Sequence, residues 1–279
     1  MRQVTVWSIM LAGLLTWCQV TAYGDDVITL DTRPGITQSF LLVEPEGKSK
    51  GVVVMLPGDM GEVEFRKTPE ESYEVKHHGG GLPANRAMRE TLRKSGFAVA
   101  VIAPPSDRTQ LAPWFRKSTE HLEDIRNVIG YLQKRYGNKP YLHGHCLSSL
   151  SAASVASRLK SDGISGLILS SARSTGKDGS VTDFERGTVS VPVLLVNHRD
   201  DSCPYTPYSL VERVKAFYQG STPKVDIITV TGGEARVPTN MICQNGFHGF
   251  RGVQKDTAQA IVSWLLNKEF PALVAGAKQ

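Results

Sequence analysis

Past its first two dozen residues, this sequence lacks any hydrophobic run near the roughly 20 residues a bilayer span needs, so nothing in its body reads as a membrane helix. It also lacks a block of Lys and Arg interleaved with aromatic residues. The 32 basic and 27 acidic side chains leave a formal charge of +5 that is spread along the chain, which argues against a nucleic-acid partner. Cysteine is scarce, four in 279 residues, and no two form a C-x-x-C pair, so a thioredoxin-like redox motif is missing. The triple glycine at 79–81 has no following G-K-[ST] and no strand before it, which excludes a phosphate cradle. His77 with His78, and His198 with Asp200 and Asp201, lack metal-site spacing. Neither a metal nor a cofactor is expected. There is no internal repeat and no low-complexity tract.

What is present is the composition of a globular domain, 41% hydrophobic and 21% charged, long enough to bury a sizeable core. The first residues differ from the rest. Arg2 supplies a positive start, Val4 to Val20 is nearly uncharged, and Val20-Thr21-Ala22 offers small residues for cleavage. The expectation is a signal peptide over 1–22, a single domain over 23–279, and export to the periplasm or beyond the cell. A membrane anchor is the rival reading. Ser8, Thr16 and Gln19 interrupt the apolar stretch, and no stop-transfer charges follow it, so no stable membrane insertion is expected after cleavage. Trp17 is too bulky to precede a lipidated Cys18. Export leaves Cys146, Cys203 and Cys243 in an oxidising compartment, where two can pair and one is left over.

Six short apolar runs bounded by Gly, Pro or Asn read as buried strands: 51–58, 97–105, 140–144, 166–171, 191–198 and 225–233. Between them the segments have helical spacing. Leu122, Ile125, Ile129 and Leu132 share one face of a helix that opens with Ser118, three residues before His121, and closes at Gly137. Further helices are expected near 84–95, 147–160, 207–219 and 253–267. This alternation predicts an α/β fold, a mostly parallel sheet with helices on both faces, whose ligand site lies beyond the carboxyl ends of the strands. The stretch around Arg33-Pro34-Gly35 predicts one or two antiparallel edge strands. The irregular segment 59–83 reads as a loop over the site.

Three residues then fall after three strands. "GHCLS" (144–148) fits a nucleophile elbow, G-x-nucleophile-x-G, with cysteine for serine and Ser148 for the last glycine. Small neighbours let the backbone at Cys146 strain while its thiol points outward. The following helix aims its amino end at the turn, which favours an anion there and offers the Leu147 amide to an oxyanion; "LPGDMG" would bring a second amide, that of Asp59. "NHRDDSC" supplies an acid, Asp200 or Asp201, with Asp201 preferred, and "NGFHGF" supplies His248 before the last helix.

The order nucleophile, acid, histidine, together with "TRPGITQ" (32–38), "APPSDR" (103–108), "CLSSLSAA" (146–153), "HRDDSC" (198–203) and "HGF" (248–250), resembles the α/β-hydrolases over about residues 27–267. Within them it is similar to exported bacterial hydrolases of unassigned substrate. Dienelactone hydrolase, in the same superfamily, uses a cysteine nucleophile. The resemblance implies Cys146, Asp201 and His248 as a triad, with the cysteine a departure from the serine more usual in these relatives, and it does not carry over a substrate. A small acyl compound (ester, lactone or thioester) is the substrate expected of such a thiol nucleophile.

Blander readings stand beside these. Cys146 would be an inert buried thiol at an arbitrary position, and His248 would pack against Phe247 and Phe250. Cys203 and Cys243 make the natural disulfide, tying the acid loop to the histidine loop and leaving Cys146 unpaired. His143 reads as a strand residue, and His145 as a neighbour of the pocket. Tyr205, Trp114 and Phe115 either line the pocket or cover a core edge. The rival function is a ligand-binding protein on a hydrolase scaffold.

Overall fold

The computed structural model describes residues 24–69, 72–77, 86–235, 243 and 246–278. The expected signal peptide and Cys18 lie outside the described residues, as does 78–83 of the segment read as a loop. In chain order the strands are β1 (Asp26–Arg33), β2 (Ile36–Val43), β3 (Gly51–Met55), β4 (Val63–Lys67), β5 (Tyr73–His77), β6 (Phe97–Pro105), β7 (Tyr141–His145), β8 (Gly166–Ser170), β9 (Val193–His198), β10 (Val225–Gly233) and β11 (Leu273–Lys278). The helices are α1 (Arg86–Lys94), α2 (Thr119–Tyr136), α3 (Ser148–Gly163), α4 (Val211–Gln219) and α5 (Gln254–Leu265). Among the described residues, no helix is long and apolar enough to cross a membrane.

Nine strands form one sheet in the order β1-β2-β6-β3-β7-β8-β9-β10-β11, antiparallel only at β1-β2 and β2-β6. The central strands are continuous apolar runs because successive side chains enter opposite covered faces. Val52 and Val54 of β3 join the core beneath α2, α3 and α4, whereas Val53 and Met55 join the core beneath α1 and α5. The chain winds from β3 out to β6, then returns across β3 to β7. The strand order therefore reverses at β3, and the carboxyl end of β7 opens beside that reversal, where parallel sheets carry their ligand sites.

Local chemistry sets the element ends. Ser118 caps α2 by accepting a hydrogen bond from the His121 amide (3.1 Å), and Gly137 closes the helix at φ +74°. α3 is buried on nearly every side and built from small residues, Ser151 to Ala153 among them, so it can nestle between the sheet and α2. Its regular part ends at Lys160, where φ is +51°, which is where the sequence expectation stopped. Arg33 forks onto Asp124 of α2 through Nε (2.8 Å) and Nη2 (2.9 Å), and Thr32 donates to the same carboxylate (2.6 Å). Arg33 also meets Asp107 at 3.2 Å. The "TRPG" and "PSDR" segments thus clamp the sheet edge to α2.

Two features differ from the sequence expectation. The described part of 59–83, expected to be irregular, contains a β4-β5 hairpin whose Phe65, Tyr73 and Val75 pack into the α1/α5 core. A ninth sheet strand, β11, runs parallel to β10 beyond the last expected helix.

Two buried histidines make the fold acid-sensitive. The His121 ring packs at a tilt 5.4 Å from the Phe115 ring, and His143 Nε2 lies 2.7 Å from Ser170 Oγ. Burial pushes His121 down to about 3 and His143 down to about 4. In the unfolded chain each titrates near pH 6.5, so below that pH the unfolded state binds more protons. Stability present above about pH 6.5 is then lost as pH falls towards 4. At about pH 5 each histidine is expected to have cost about 2 kcal/mol. Urea midpoints at neutral and acidic pH check this, and His121→Leu should remove about half of the difference.

Candidate active site

β7 ends at His145 and α3 begins at Ser148, so the chain reverses over Cys146 and Leu147. Cys146 adopts φ +51°, a left-handed conformation that costs an L-residue about 1–2 kcal/mol. A Cβ on Gly144 would sit 2.5 Å from the Ser148 carbonyl oxygen, so only glycine fits beneath the turn. Ser148 supplies what a glycine in its place would lack. Its hydroxyl accepts from the His145 amide (2.8 Å) and donates to the His145 carbonyl (2.9 Å), stitching the turn closed. Ser149 Oγ donates to the Cys146 carbonyl (2.5 Å) and accepts from the Arg173 amide (2.9 Å).

His248 lies in the tight loop before α5. Its Nδ1 is 2.8 Å from Asp201 Oδ2, and its carbonyl accepts from Ser171 Oγ at 3.1 Å. Of the two adjacent aspartates, Asp201 faces the imidazole. Asp200 is exposed, and its amide donates to His198 Nδ1 (3.0 Å). The Asp201 carboxylate also receives the Cys203 amide (2.9 Å) and Thr206 Oγ1 (2.8 Å). Burial opposes its ionisation, but these bonds and the His248 charge hold it below the usual carboxylate range. Burial likewise opposes protonation of His248. The negative charge of the Cys146 sulfur, with hydrogen bonds to Asp201 and Cys146, outweighs that and pushes the imidazole up to about 10. Cys146 Sγ, a ring nitrogen of His248 and Cys203 Sγ all lie within 4.8 Å of one another. The His145 ring packs 4.9 Å from the His248 ring.

Cys203 and Cys243 are joined by a disulfide, as expected, and Cys146 keeps a free, buried thiol. Cys203 therefore offers no thiolate to a metal in this state, which leaves one sulfur and one imidazole where a structural zinc takes four ligands. His198 Nε2 is engaged with the Gly232 carbonyl (2.9 Å).

The two amides expected at an oxyanion hole, those of Leu147 and Asp59, donate to no protein acceptor among the described residues. What holds Asp59 was not foreseen. Arg116 is completely buried and donates to the carbonyls of Leu111 (3.0 Å), Pro57 (2.8 Å) and Asp59 (2.6 Å), and to Ser151 Oγ of α3 (3.2 Å). It thus ties the 57–59 turn to the first coils of the helix behind Cys146. Burial lowers the guanidinium to about 9, against the pull of the Cys146 and Asp59 charges, so it stays cationic at neutral pH. Thr206 was missed as well. Its signal was only a hydroxyl five residues past Asp201.

The aromatic candidates separate. Phe115 is core, Trp114 is 64% exposed, and Tyr205 lies 4.3 Å beneath the Arg173 guanidinium.

No protein-family model matches this chain, and no curated protein matches it by sequence. Solved structures do. A thermostable carboxyl esterase from Bacillus coagulans, in complex with glycerol, superposes with a TM-score of 0.61 at 13% identity, covering 88% of this chain and 99% of that one. The esterase Pf2001 from Pyrococcus furiosus gives 0.58 at 12% identity, over 88% and 93%. A lidless α/β serine hydrolase from Xanthomonas campestris gives 0.55 at 13% identity, over 88% and 94%. The chain shares the α/β-hydrolase fold of these structures, with its mostly parallel central sheet.

Proposed function

We propose that this protein is an exported hydrolase that cleaves a carboxylic ester, lactone or thioester through Cys146, His248 and Asp201. One observation carries the reading: an imidazole bonded to a buried carboxylate on one side has a free thiol on the other, and that thiol sits on a left-handed strand-to-helix turn. Export rests on the composition of residues 1–22, and the domain over 23–279 on the continuous sheet.

In this reading His248 holds the thiol proton, and Cys146 Sγ attacks the acyl carbon. The amides of Leu147 and Asp59 receive the developing oxyanion, and Arg116 fixes the second of them. His248 then protonates the leaving alcohol or thiol, and a water deprotonated by the same imidazole hydrolyses the thioester on Cys146. Asp201, anchored by Thr206 and the Cys203 amide, keeps the ring oriented. Amides are poor substrates here, because a thiolate leaves more readily than an amine and the tetrahedral intermediate reverts. No cofactor takes part in these steps.

The test is to trap the acyl-enzyme. With a short-chain p-nitrophenyl ester, mass spectrometry of the acid-quenched protein is expected to show one acyl group, on the Cys146 peptide, with steady turnover following a burst. Absence of both acylation and turnover over a range of acyl chains would instead favour the ligand-binding scaffold.

A further inference from the structure

The site contains an electrophile of its own. Cys146 Sγ and Cys203 Sγ lie within 4.8 Å of one another, a His248 ring nitrogen is equally close to both, and Cys203 is bonded to Cys243. The sequence offers no C-x-x-C, yet folding gathers the parts of a thiol–disulfide exchange centre: a free thiol, an imidazole to hold its proton, and a disulfide sulfur beside it. Cys146 and Cys203 are only 8% and 2% exposed. The internal reaction has the advantage of proximity. Cys243, which would leave, is half-buried in the loop before His248.

We propose that Cys146 is a modification site whose partner is the chain's own disulfide. Cys146 Sγ attacks Cys203 Sγ, the Cys146–Cys203 bond forms, and the Cys203–Cys243 bond breaks. Cys243 departs as a thiolate and takes up the proton that His248 held. One disulfide and one thiol exist before and after, so the step is an isomerisation that needs no oxidant, and attack by Cys243 on Cys203 reverses it. In the exchanged form Cys146 has no thiol to accept an acyl group, and it is shielded from irreversible oxidation. The exchange needs only the thiol, the imidazole and the bridge; that it silences turnover rests on the hydrolase reading.

The experiment holds the purified protein at about pH 5 and about pH 8, quenches it in acid to remove thiolate, unfolds it, labels thiols with N-ethylmaleimide and digests it unreduced with pepsin. The expected result is label on Cys243 matched by a Cys146–Cys203 cross-linked peptide, several-fold more abundant at the higher pH and absent from Cys146→Ser. Label confined to Cys146 at both pH values overturns the proposal. An independent arm treats Cys243→Ser with oxidised glutathione. Closure to a Cys146–Cys203 disulfide, reversed by dithiothreitol, supports the exchange, and glutathione adducts on both cysteines without closure oppose it. The ester assay runs in parallel. Label on Cys243 without any turnover keeps the exchange and removes the hydrolase reading, whereas turnover with label only on Cys146 does the opposite.

Discussion

His248→Ala is expected to lower ester turnover by roughly 10⁴-fold, the scale on which a serine or cysteine triad fails when its base is removed. That is a loss of about 5.5 kcal/mol of transition-state stabilisation. The same variant should lose rapid alkylation of Cys146 by iodoacetamide at about pH 6, since the imidazole that takes the thiol proton is gone. The two readouts belong together. A histidine that merely filled the space between Cys146 and Phe250 would leave the alkylation profile unchanged when shortened. Removal also takes from the Asp201 carboxylate its imidazole partner, while its bonds to Thr206 and the Cys203 amide remain. Asp201→Asn is therefore the companion. It preserves packing while removing the charge that orients the ring, and turnover should again fall steeply with the fold intact by circular dichroism.

The second large effect concerns Arg116. Its donors serve four main-chain carbonyls, those of Leu111, Pro57, Gly58 and Asp59, and a serine hydroxyl, most of them out of water. Arg116→Met leaves those acceptors buried and unpaired, and a loss of about 3–5 kcal/mol in stability is expected from chemical unfolding. In the protein that still folds, kcat should drop by roughly 10²–10³ while KM changes little, because the Asp59 amide is lost from the oxyanion and the acyl pocket is untouched. Arg116→Lys should not rescue it. An ammonium carries the charge but cannot span carbonyls on both sides of the 57–59 turn as the planar fork does. A merely structural arginine would show the stability loss with kcat preserved in the folded fraction.

Much of the architecture was legible because parallel strands covered on both faces must be apolar throughout, as Val52 to Met55 and Phe97 to Ala103 are. Helix ends were legible where Ser118 and Gly137 carry the capping chemistry themselves. The β4-β5 hairpin does alternate, Val63-Glu64-Phe65-Arg66 and Tyr73-Glu74-Val75-Lys76, but its strands are only five residues long and lie in a charged stretch that reads as loop. β11 was hidden because Ala275 and Gly276 are too small to register as an apolar run. At the site, the three reacting side chains stood out by position after β7, β9 and β10. The choice between Asp200 and Asp201 was not decidable from two adjacent carboxylates, since it depends on which way the chain turns after His198. Arg116 left no trace for a different reason. A side chain that speaks only to backbone carbonyls has no partner residue type for a sequence pattern to reveal. Conversely, "TRPGITQ" and "APPSDR", prominent as motifs, hold the sheet edge to α2 through Arg33, Asp107 and Asp124.

The spacing of the reacting groups along the chain also sets the order in which they appear during synthesis. The turn that strains Cys146 needs nothing beyond Ser170, whose carbonyl receives the Cys146 amide, and the Arg173 amide bonded to Ser149. Asp201 follows an entire strand later, and His248 comes only with the loop that precedes the final helix. A chain folding from its amino end thus builds the elbow first and carries a bare thiol, without its base, until the last quarter of the protein docks. Reactivity is a property of the finished fold alone, and a growing or translocating chain presents Cys146 to its surroundings before the group that arms it has arrived.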